Sequence, residues 1–223
     1  MSKETKDKPE EMASFFDLRA AGYEDHMQET INSFTQYYAT VAVPIPHTTE
    51  PISVLDLGCG TGLELRWIFA QAPNAKLTCV DVSENMLKVL QRTYRERCDQ
   101  IRLIQDSYVR WPFGQDQYDY VVSVMTMHHF VSEDKVALYK KIRQALKPGG
   151  QYIEGDYVVS PEKERELLET YWQLCGDDQA DEGLYHVDVP CSLEVQKQLF
   201  ETAGFQHFYV LFEEGEHFIY VVK

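Results

Sequence analysis

The chain has 223 residues, 44% of them hydrophobic, which is enough to bury the core of one globular domain. Its 36 acidic and 21 basic side chains give a formal net charge of −15, and such a surface repels nucleic acid and anionic membrane unless its cations are gathered in one patch. No Lys/Arg-rich run supplies that patch, so we expect a small-molecule substrate and neither a nucleic-acid nor a membrane partner.

The start of the chain and its cysteines give an expectation about location. Residues 1–11 are polar and have no apolar segment of a signal peptide, and we expect them to form a disordered tail. No apolar run approaches the length that spans a membrane. The five cysteines show no C-x-x-C spacing, which favours reduced thiols over a disulfide or zinc framework. We therefore expect a cytoplasmic protein.

The predicted elements begin with a helical segment and continue as alternating strands and helices. Between Phe15 and Val43 apolar residues recur every three or four positions, with Gly22 as a break. After a proline-rich connector, strands are predicted at 52–57, 75–82, 101–106, 118–125 and 150–159. Helices are predicted between them at 61–72, at 84–98 and from Ser132 to the LKPGG segment at 146–150. This spacing predicts a parallel, doubly wound α/β sheet, which binds its ligands beyond the carboxyl ends of the strands.

The last third of the chain breaks that alternation. Ser160 followed by Pro161 predicts the start of an inserted helix, and Gly204 predicts the end of a helix that begins near Ser192. Two strands follow at 205–212 and 217–222. Because only four residues separate them, they must form an antiparallel hairpin.

Three glycines follow the first predicted strand, and an acid precedes them. Gly58, Gly60 and Gly62 permit a tight turn that a ligand can approach closely, and Asp81 at the end of the second strand can accept hydrogen bonds from ribose hydroxyls. A dinucleotide would bring two phosphates next to Asp56, and its fingerprint places the third glycine one residue later. These features disfavour a nicotinamide-dependent oxidoreductase, which stays as an alternative. A cationic ligand suits Asp56 better, and S-adenosyl-L-methionine carries an ammonium and a sulfonium but no phosphate.

The sequence resembles the class I S-adenosylmethionine-dependent methyltransferases. Asp56 to Gly62 matches the D/E-x-G-x-G-x-G signature in full, and "VDVSENML" (80–87), "YDYVVSVMTMHHF" (118–130) and "LKPGG" continue the likeness over residues 15–223. The resemblance implies a Rossmann-like seven-stranded sheet, mostly parallel with an antiparallel C-terminal hairpin strand. It also implies methyl transfer from S-adenosylmethionine to a small-molecule O, N or C nucleophile by direct displacement. We expect one methyltransferase domain over 12–223, with an N-terminal helical lid at 12–45 and a helical insertion at 158–191 over the cleft.

The resemblance also implies roles in holding the cofactor. Asp56 and the Gly58 backbone would hold the methionine amino end, and Asp81 would bind the ribose. Asp106 would accept from the adenine amino group, with a cap of the following turn as its alternative role, and Tyr23 could be ordinary core. The full set of expected cofactor-binding residues is Arg19, Tyr23, Asp56, Gly58, Cys59, Gly60, Asp81, Val82, Met86, Asp106, Ser107, Val124 and Met125.

The chemistry of methyl transfer needs few residues, because a direct displacement has no covalent intermediate. A base helps only where the acceptor carries a proton that must leave. His128 follows the fourth strand and Asp156 ends the fifth, so both lie at the ligand edge and are the candidate catalytic residues. His129 is expected to shape the loop. No acids cluster near the fourth strand, so no metal site is expected. A protein that binds S-adenosylmethionine without turning it over remains the other alternative.

Overall fold

The computed structural model describes residues 10–175 and 185–223, and most of the expected disordered tail (1–9) lies outside these ranges. In the described residues, seven strands form one sheet. The strands are β1 Ser53–Leu57, β2 Lys76–Asp81, β3 Ile101–Gln105, β4 Tyr118–Val124, β5 Leu146–Tyr157, β6 Phe208–Glu214 and β7 His217–Val222. The α-helices are α1 Met12–Arg19, α2 Tyr23–Thr30, α3 Phe34–Val41, α4 Leu65–Gln71, α5 Glu84–Thr93, α6 Ser132–Ala145, α7 Pro161–Cys175 and α8 Leu193–Ala203.

The order of the strands confirms the predicted architecture. They run β3-β2-β1-β4-β5-β7-β6, and the first five of these strands are parallel to one another. The hairpin strand β7 inserts between β5 and β6 and is antiparallel to both. The order reverses between β1 and β4, so the carboxyl ends of these two strands border the crevice in which such sheets bind ligands.

Each face of the sheet carries its own apolar core. Successive residues of a strand point to opposite faces, so Val54 joins one cluster while Leu55 joins the other. The first cluster lies under helices α2 to α5, and Tyr37 and Ile68 are fully buried in it. The second lies under α6 and α8 and is centred on aromatic side chains such as Phe200. The parallel strands are therefore covered on both sides, as doubly wound sheets require.

Several of the predicted element boundaries were wrong. The helix expected at 61–72 begins only at Leu65, because Gly60 and Gly62 have φ values of +49° and +77° and prolong the turn. Helix α6 ends at Ala145, and the LKPGG segment already belongs to β5, where Gly149 has a φ of +84°. The helix expected at 84–98 ends at Thr93 and is followed by a short 3₁₀ turn.

The N-terminal segment is broken twice rather than once. A 3₁₀ turn over Ala20–Gly22 separates α1 from α2, which agrees with the predicted break at Gly22, and a second break precedes α3. The carboxylate of Glu11 accepts a hydrogen bond from the Ser14 backbone N–H at 3.1 Å and so caps α1. The Asp17 carboxylate joins α1 to the start of α5 by accepting from the Ser83 hydroxyl at 2.6 Å. Among the helices of the described ranges, none combines the length and the apolar character needed to cross a bilayer.

Candidate active site

The turn after β1 forms the floor of the site. Gly58, Gly60 and Gly62 all have positive φ, and the Gly58 N–H donates to the Val80 carbonyl at 2.9 Å. A Cβ added to Gly58 would lie 2.4 Å from Oγ1 of Thr126, so the turn packs directly against the segment that follows β4. The glycines therefore allow the ends of two strands to approach each other closely.

Asp81 at the end of β2 holds the turn in place. Its Oδ2 accepts from the Gly60 N–H at 2.8 Å, and its Oδ1 accepts from the Ser83 N–H at 2.8 Å. Burial raises the pKa of Asp81 to about 6, although these backbone donors oppose the rise. Each carboxylate oxygen keeps a second lone pair that can accept from a ligand.

A cavity lies over this floor. The turn and the ends of β2, β3 and β4 form its base, and α1 and α2 close it from above. The lining residues are Met12, Phe16, Tyr23, Gly58, Gly60, Asp81, Val82, Met86, Ser107, Tyr108, Met125, Thr126 and Phe130. We call it the cofactor cavity.

Two acids lie buried next to the turn. Asp56 is 1% exposed and its Oδ2 has no hydrogen-bond partner among the described residues, and the same holds for Oε1 of the buried Glu64. Burial and the neighbouring Glu64 raise the pKa of Asp56 well above its ordinary value. Such orphaned carboxyl oxygens are costly in a low-dielectric interior, and a cation bound beside them would relieve that cost.

A second cavity adjoins the first. Phe16, Tyr23 and Met125 line both cavities, so the two spaces meet at these side chains. The lining residues of the second are Phe15, Phe16, Leu18, Arg19, Gly22, Tyr23, His26, Met27, Met125, His128, His129, Tyr157, His186 and Asp188. We call it the acceptor cavity.

His128 and Asp156 form a buried pair in the wall of the acceptor cavity. The His128 Nδ1 and Asp156 Oδ1 atoms are 2.5 Å apart, and the His128 backbone N–H donates to Oδ2 of the same carboxylate at 2.9 Å. Burial alone would lower the pKa of His128, but the charge and hydrogen bond of Asp156 outweigh it and raise that pKa. Because Nδ1 is engaged, Nε2 is the ring nitrogen left to meet a ligand.

Asp188 lies opposite this pair and faces three imidazoles. Its Oδ1 is 3.1 Å from His129 Nδ1, 3.6 Å from His128 Nε2 and 3.8 Å from His186 Nε2. Burial and the nearby His128 lower the pKa of His129 to about 4. Two backbone bonds hold the segment 186–189 in place: the Val189 N–H donates to the His128 carbonyl at 2.7 Å and the His186 N–H to the Glu10 carbonyl at 2.9 Å.

The predicted site residues fall into three groups. Tyr23, Gly58, Gly60, Asp81, Val82, Met86, Ser107 and Met125 line the cofactor cavity. Arg19 lines the acceptor cavity instead, with its guanidinium 3.4 Å from the centre of the Phe15 ring. Asp56, Cys59, Asp106 and Val124 line neither cavity. The Asp106 Oδ1 accepts from the Ser107 N–H at 2.7 Å, which is the turn-capping contact that the sequence left open.

Comparison with known proteins agrees with this geometry. A family model described as a methyltransferase domain matches residues 54–150. An uncharacterised methyltransferase of Geobacillus sp. (strain WCH70) is 23% identical over 220 residues, which is 96% of this chain and 94% of the relative. Phosphoethanolamine N-methyltransferase 1 of Zea mays is 30% identical over 155 residues, which is 69% of this chain but only 28% of the maize protein. Among solved structures, a complex of DhpI with SAH is similar with a TM-score of 0.69 and 19% identity, covering 95% of this chain and 94% of that one.

The chain belongs to the class I S-adenosylmethionine-dependent methyltransferases.

S-Adenosylmethionine is therefore its cofactor, in preference to a nicotinamide nucleotide. The Asp81 carboxylate at the cavity wall fits its ribose. Asp56 and Glu64 line neither cavity, but their unpaired oxygens beside the glycine turn are acidic groups that suit its ammonium. The chemistry of the donor set thus matches the family.

Sequence reasoning missed several residues of this methyltransferase's site. Glu64 lies in the segment predicted as a helix (61–72), and nothing in that pattern singled it out. Thr126 and Tyr108, whose Oγ1 and OH atoms are 2.7 Å apart, were not singled out either. Asp188 could have been noticed two residues after His186 in "LYHVDVP", but only the folded chain brings it to His128.

Proposed function

We propose that this methyltransferase transfers the methyl group of S-adenosylmethionine to an O, N or C nucleophile of a small molecule bound in the acceptor cavity. One observation carries the proposal: the two cavities meet at Phe16, Tyr23 and Met125. A methyl donor in the first cavity and an acceptor in the second would then face each other, as an in-line displacement requires.

The cofactor would be held along the strand ends. Asp81 would accept from the ribose hydroxyls, Val82 and Met86 would pack on the adenine, and the acids Asp56 and Glu64 would attract the ammonium. When bound, the cofactor supplies an electrophilic methyl group. The protein's own contribution is to position that group and to keep water away from it.

The acceptor would be activated at His128. Its Nε2 faces the acceptor cavity, and the carboxylate of Asp156 fixes the ring through Nδ1. A hydroxyl or amine of the acceptor would give its proton to Nε2 as its bond to the methyl carbon forms and the carbon–sulfur bond breaks, which leaves S-adenosylhomocysteine. Asp156 would stabilise the resulting imidazolium. Asp156 would thus act through His128.

The N-terminal helices (12–45) and the insertion (158–191) would form the lid over the site. Met12 and Phe16 from α1 cover the cofactor cavity, and His186 from the insertion stacks on Phe15 with ring centroids 3.5 Å apart. Such a lid excludes water and selects the acceptor by shape. Its aromatic lining favours an acceptor with an apolar or planar part, and residues 176–184 of the insertion lie outside the described ranges.

The net charge of −15 supports a small acceptor over a nucleic acid. The maize relative is named for a small phosphorylated amine, which is consistent with that class of acceptor.

The test is turnover with a panel of small hydroxyl, amine and carbon-acid acceptors. Release of S-adenosylhomocysteine would be measured together with the mass of the methylated product. We expect acceptor-dependent turnover that falls by about 10²–10⁴-fold in His128→Ala, while the affinity for S-adenosylhomocysteine changes little. The control is His47→Ala, because His47 is exposed and lines neither cavity. Tight cofactor binding without turnover of any acceptor would instead favour a non-catalytic cofactor-binding protein.

A further inference from the structure

The wall of the acceptor cavity gathers more nitrogen and oxygen donors than methyl transfer needs. We propose that His128, His129 and Asp188, with His186 beside them, bind one divalent transition-metal ion. This inference rests on the proposed function only for the place of the acceptor, and it goes beyond that function in assigning a metal site.

The spacing of the donor atoms suits one ion. One donor atom from each of His128, His129 and Asp188 lies within 4.8 Å of the other two. Metal–ligand bonds of about 2.0–2.1 Å in a tetrahedron separate neighbouring ligand atoms by about 3.3–3.4 Å. The distances from Asp188 Oδ1 to His129 Nδ1 and His128 Nε2, 3.1 Å and 3.6 Å, bracket that separation. His186 Nε2 at 3.8 Å from the same oxygen could complete the set with a small movement.

A buried nitrogen without a hydrogen bond points into this cluster. The His129 side chain is 3% exposed, and its Nδ1 has no hydrogen-bond partner among the described residues. Asp188 Oδ1 is near it in distance, but the two atoms do not meet the geometry of a hydrogen bond. A buried donor or acceptor left unpaired costs about 1–3 kcal/mol, and a metal ion would satisfy this nitrogen as a ligand.

The surroundings of His128 are those of a metal ligand. Asp156 engages Nδ1 and so leaves the lone pair of Nε2 directed at the cluster. The same carboxylate accepts from the Tyr157 N–H at 2.8 Å, which fixes its position on β5. Metal-bound histidines commonly place their second nitrogen against such a carboxylate, which sets the tautomer and strengthens the ligand.

A backbone hydrogen bond positions Asp188, while its side chain stays accessible from the cavity. The bond from the Val189 N–H to the His128 carbonyl keeps Asp188 opposite the two histidines. The Asp188 side chain is 49% exposed toward the cavity, so it can adjust to an ion and leave a coordination position free. A metal there could contact an acceptor's donor atom, and with the ion bound His128 Nε2 would be a ligand instead of a proton acceptor.

The donor set selects the class of metal. Imidazole nitrogens with one carboxylate suit Zn²⁺, Co²⁺ or Fe²⁺, whereas Mg²⁺ and Ca²⁺ prefer sites made of oxygen. Zn²⁺ is the appropriate first probe, and Co²⁺ reports its coordination through visible absorption.

The experiment titrates Zn²⁺ and Co²⁺ into the chelator-treated full chain by calorimetry and absorption spectroscopy. We expect one equivalent of Zn²⁺, a tetrahedral Co²⁺ spectrum and no binding of Mg²⁺. His129→Ala and Asp188→Asn should each weaken Zn²⁺ binding by at least about 10²-fold. His26→Ala, on α2 in the same cavity, should not change it. Circular dichroism and the affinity for S-adenosylhomocysteine show that each variant is folded.

The outcomes separate this proposal from the proposed function. Zn²⁺ binding that is absent, or equal in the wild type and in His129→Ala and Asp188→Asn, would overturn the metal site and leave His128-dependent methyl transfer standing. One equivalent bound through these residues, with no acceptor methylated, would support the metal site and count against the proposed function.

Discussion

Asp81 offers the sharpest test of how the cofactor is held. Replacement by Asn keeps the shape of the side chain but removes its charge and turns one acceptor atom into a donor. That amide group would face the N–H of Gly60 or of Ser83, each now 2.8 Å from a carboxylate oxygen. Hydrogen bonds to a charged group contribute about 1.5–3 kcal/mol each, so loss of the ribose contacts should lower the affinity for S-adenosylhomocysteine by about 10²–10⁴-fold.

The pKa of Asp81 adds a dependence on pH. With a pKa of about 6, the carboxylate is almost fully charged at pH 7.5 and about one-tenth charged at pH 5. Protonation of Asp81 should therefore lower the wild-type affinity about tenfold between pH 7.5 and pH 5. This part of the pH dependence should be absent in Asp81→Asn.

Isothermal titration calorimetry with S-adenosylhomocysteine measures both effects. The matched control is Asp17→Asn, because Asp17 contacts the same helix start through the Ser83 hydroxyl but does not line the cofactor cavity. Wild-type affinity in a folded Asp81→Asn variant would refute the ribose assignment. An equal loss in Asp17→Asn would show that the helix start, and not the carboxylate, matters.

Three further predictions address the turn and the core. Gly58→Ala places a Cβ 2.4 Å from Oγ1 of Thr126 at a φ of +65°, so the melting temperature and the affinity for S-adenosylhomocysteine should both fall; a variant that melts and binds like the wild type would contradict the close approach. Asp56→Asn removes a buried carboxyl whose pKa burial and Glu64 raise, so thermal stability without ligand should stay level or rise while S-adenosylhomocysteine binds more weakly; unchanged binding would remove the ammonium assignment. Glu154 is buried among tyrosine hydroxyls, and burial raises its pKa to about 7. Its folded-state pKa exceeds the unfolded value, so the stability it contributes is present below about pH 4.5 and is lost as the pH rises to about 7. The free energy of unfolding of Glu154→Gln, measured with denaturant, should therefore change less between about pH 4.5 and pH 7 than that of the wild type. The same pH dependence in both proteins would contradict this assignment to Glu154.

Much of the fold followed from local patterns. The alternation of β-branched runs with helices predicted five parallel strands, and four residues between 212 and 217 could only make a hairpin. The order of the strands in the sheet was not predicted and came from the structure. The errors fell at boundaries. Positive-φ glycines delay the start of α4 to Leu65, whereas β5 starts early because Leu146 already pairs with Tyr118 ahead of a register shift. A glycine indicates that a turn is allowed, but the neighbouring side chains decide how far it extends.

The sequence by itself determined the sheet and the cofactor, because these depend on short-range periodicity and on one contiguous signature, Asp56 to Gly62. Only the tertiary structure decided which side chains meet in the wall of the acceptor cavity. Asp188 lies 60 residues after His128 in the chain, yet its Oδ1 is 3.6 Å from Nε2 of that histidine because backbone bonds fold the segment 186–189 across the cavity. No local pattern encodes such a contact, since it arises from the packing of elements that are distant in sequence.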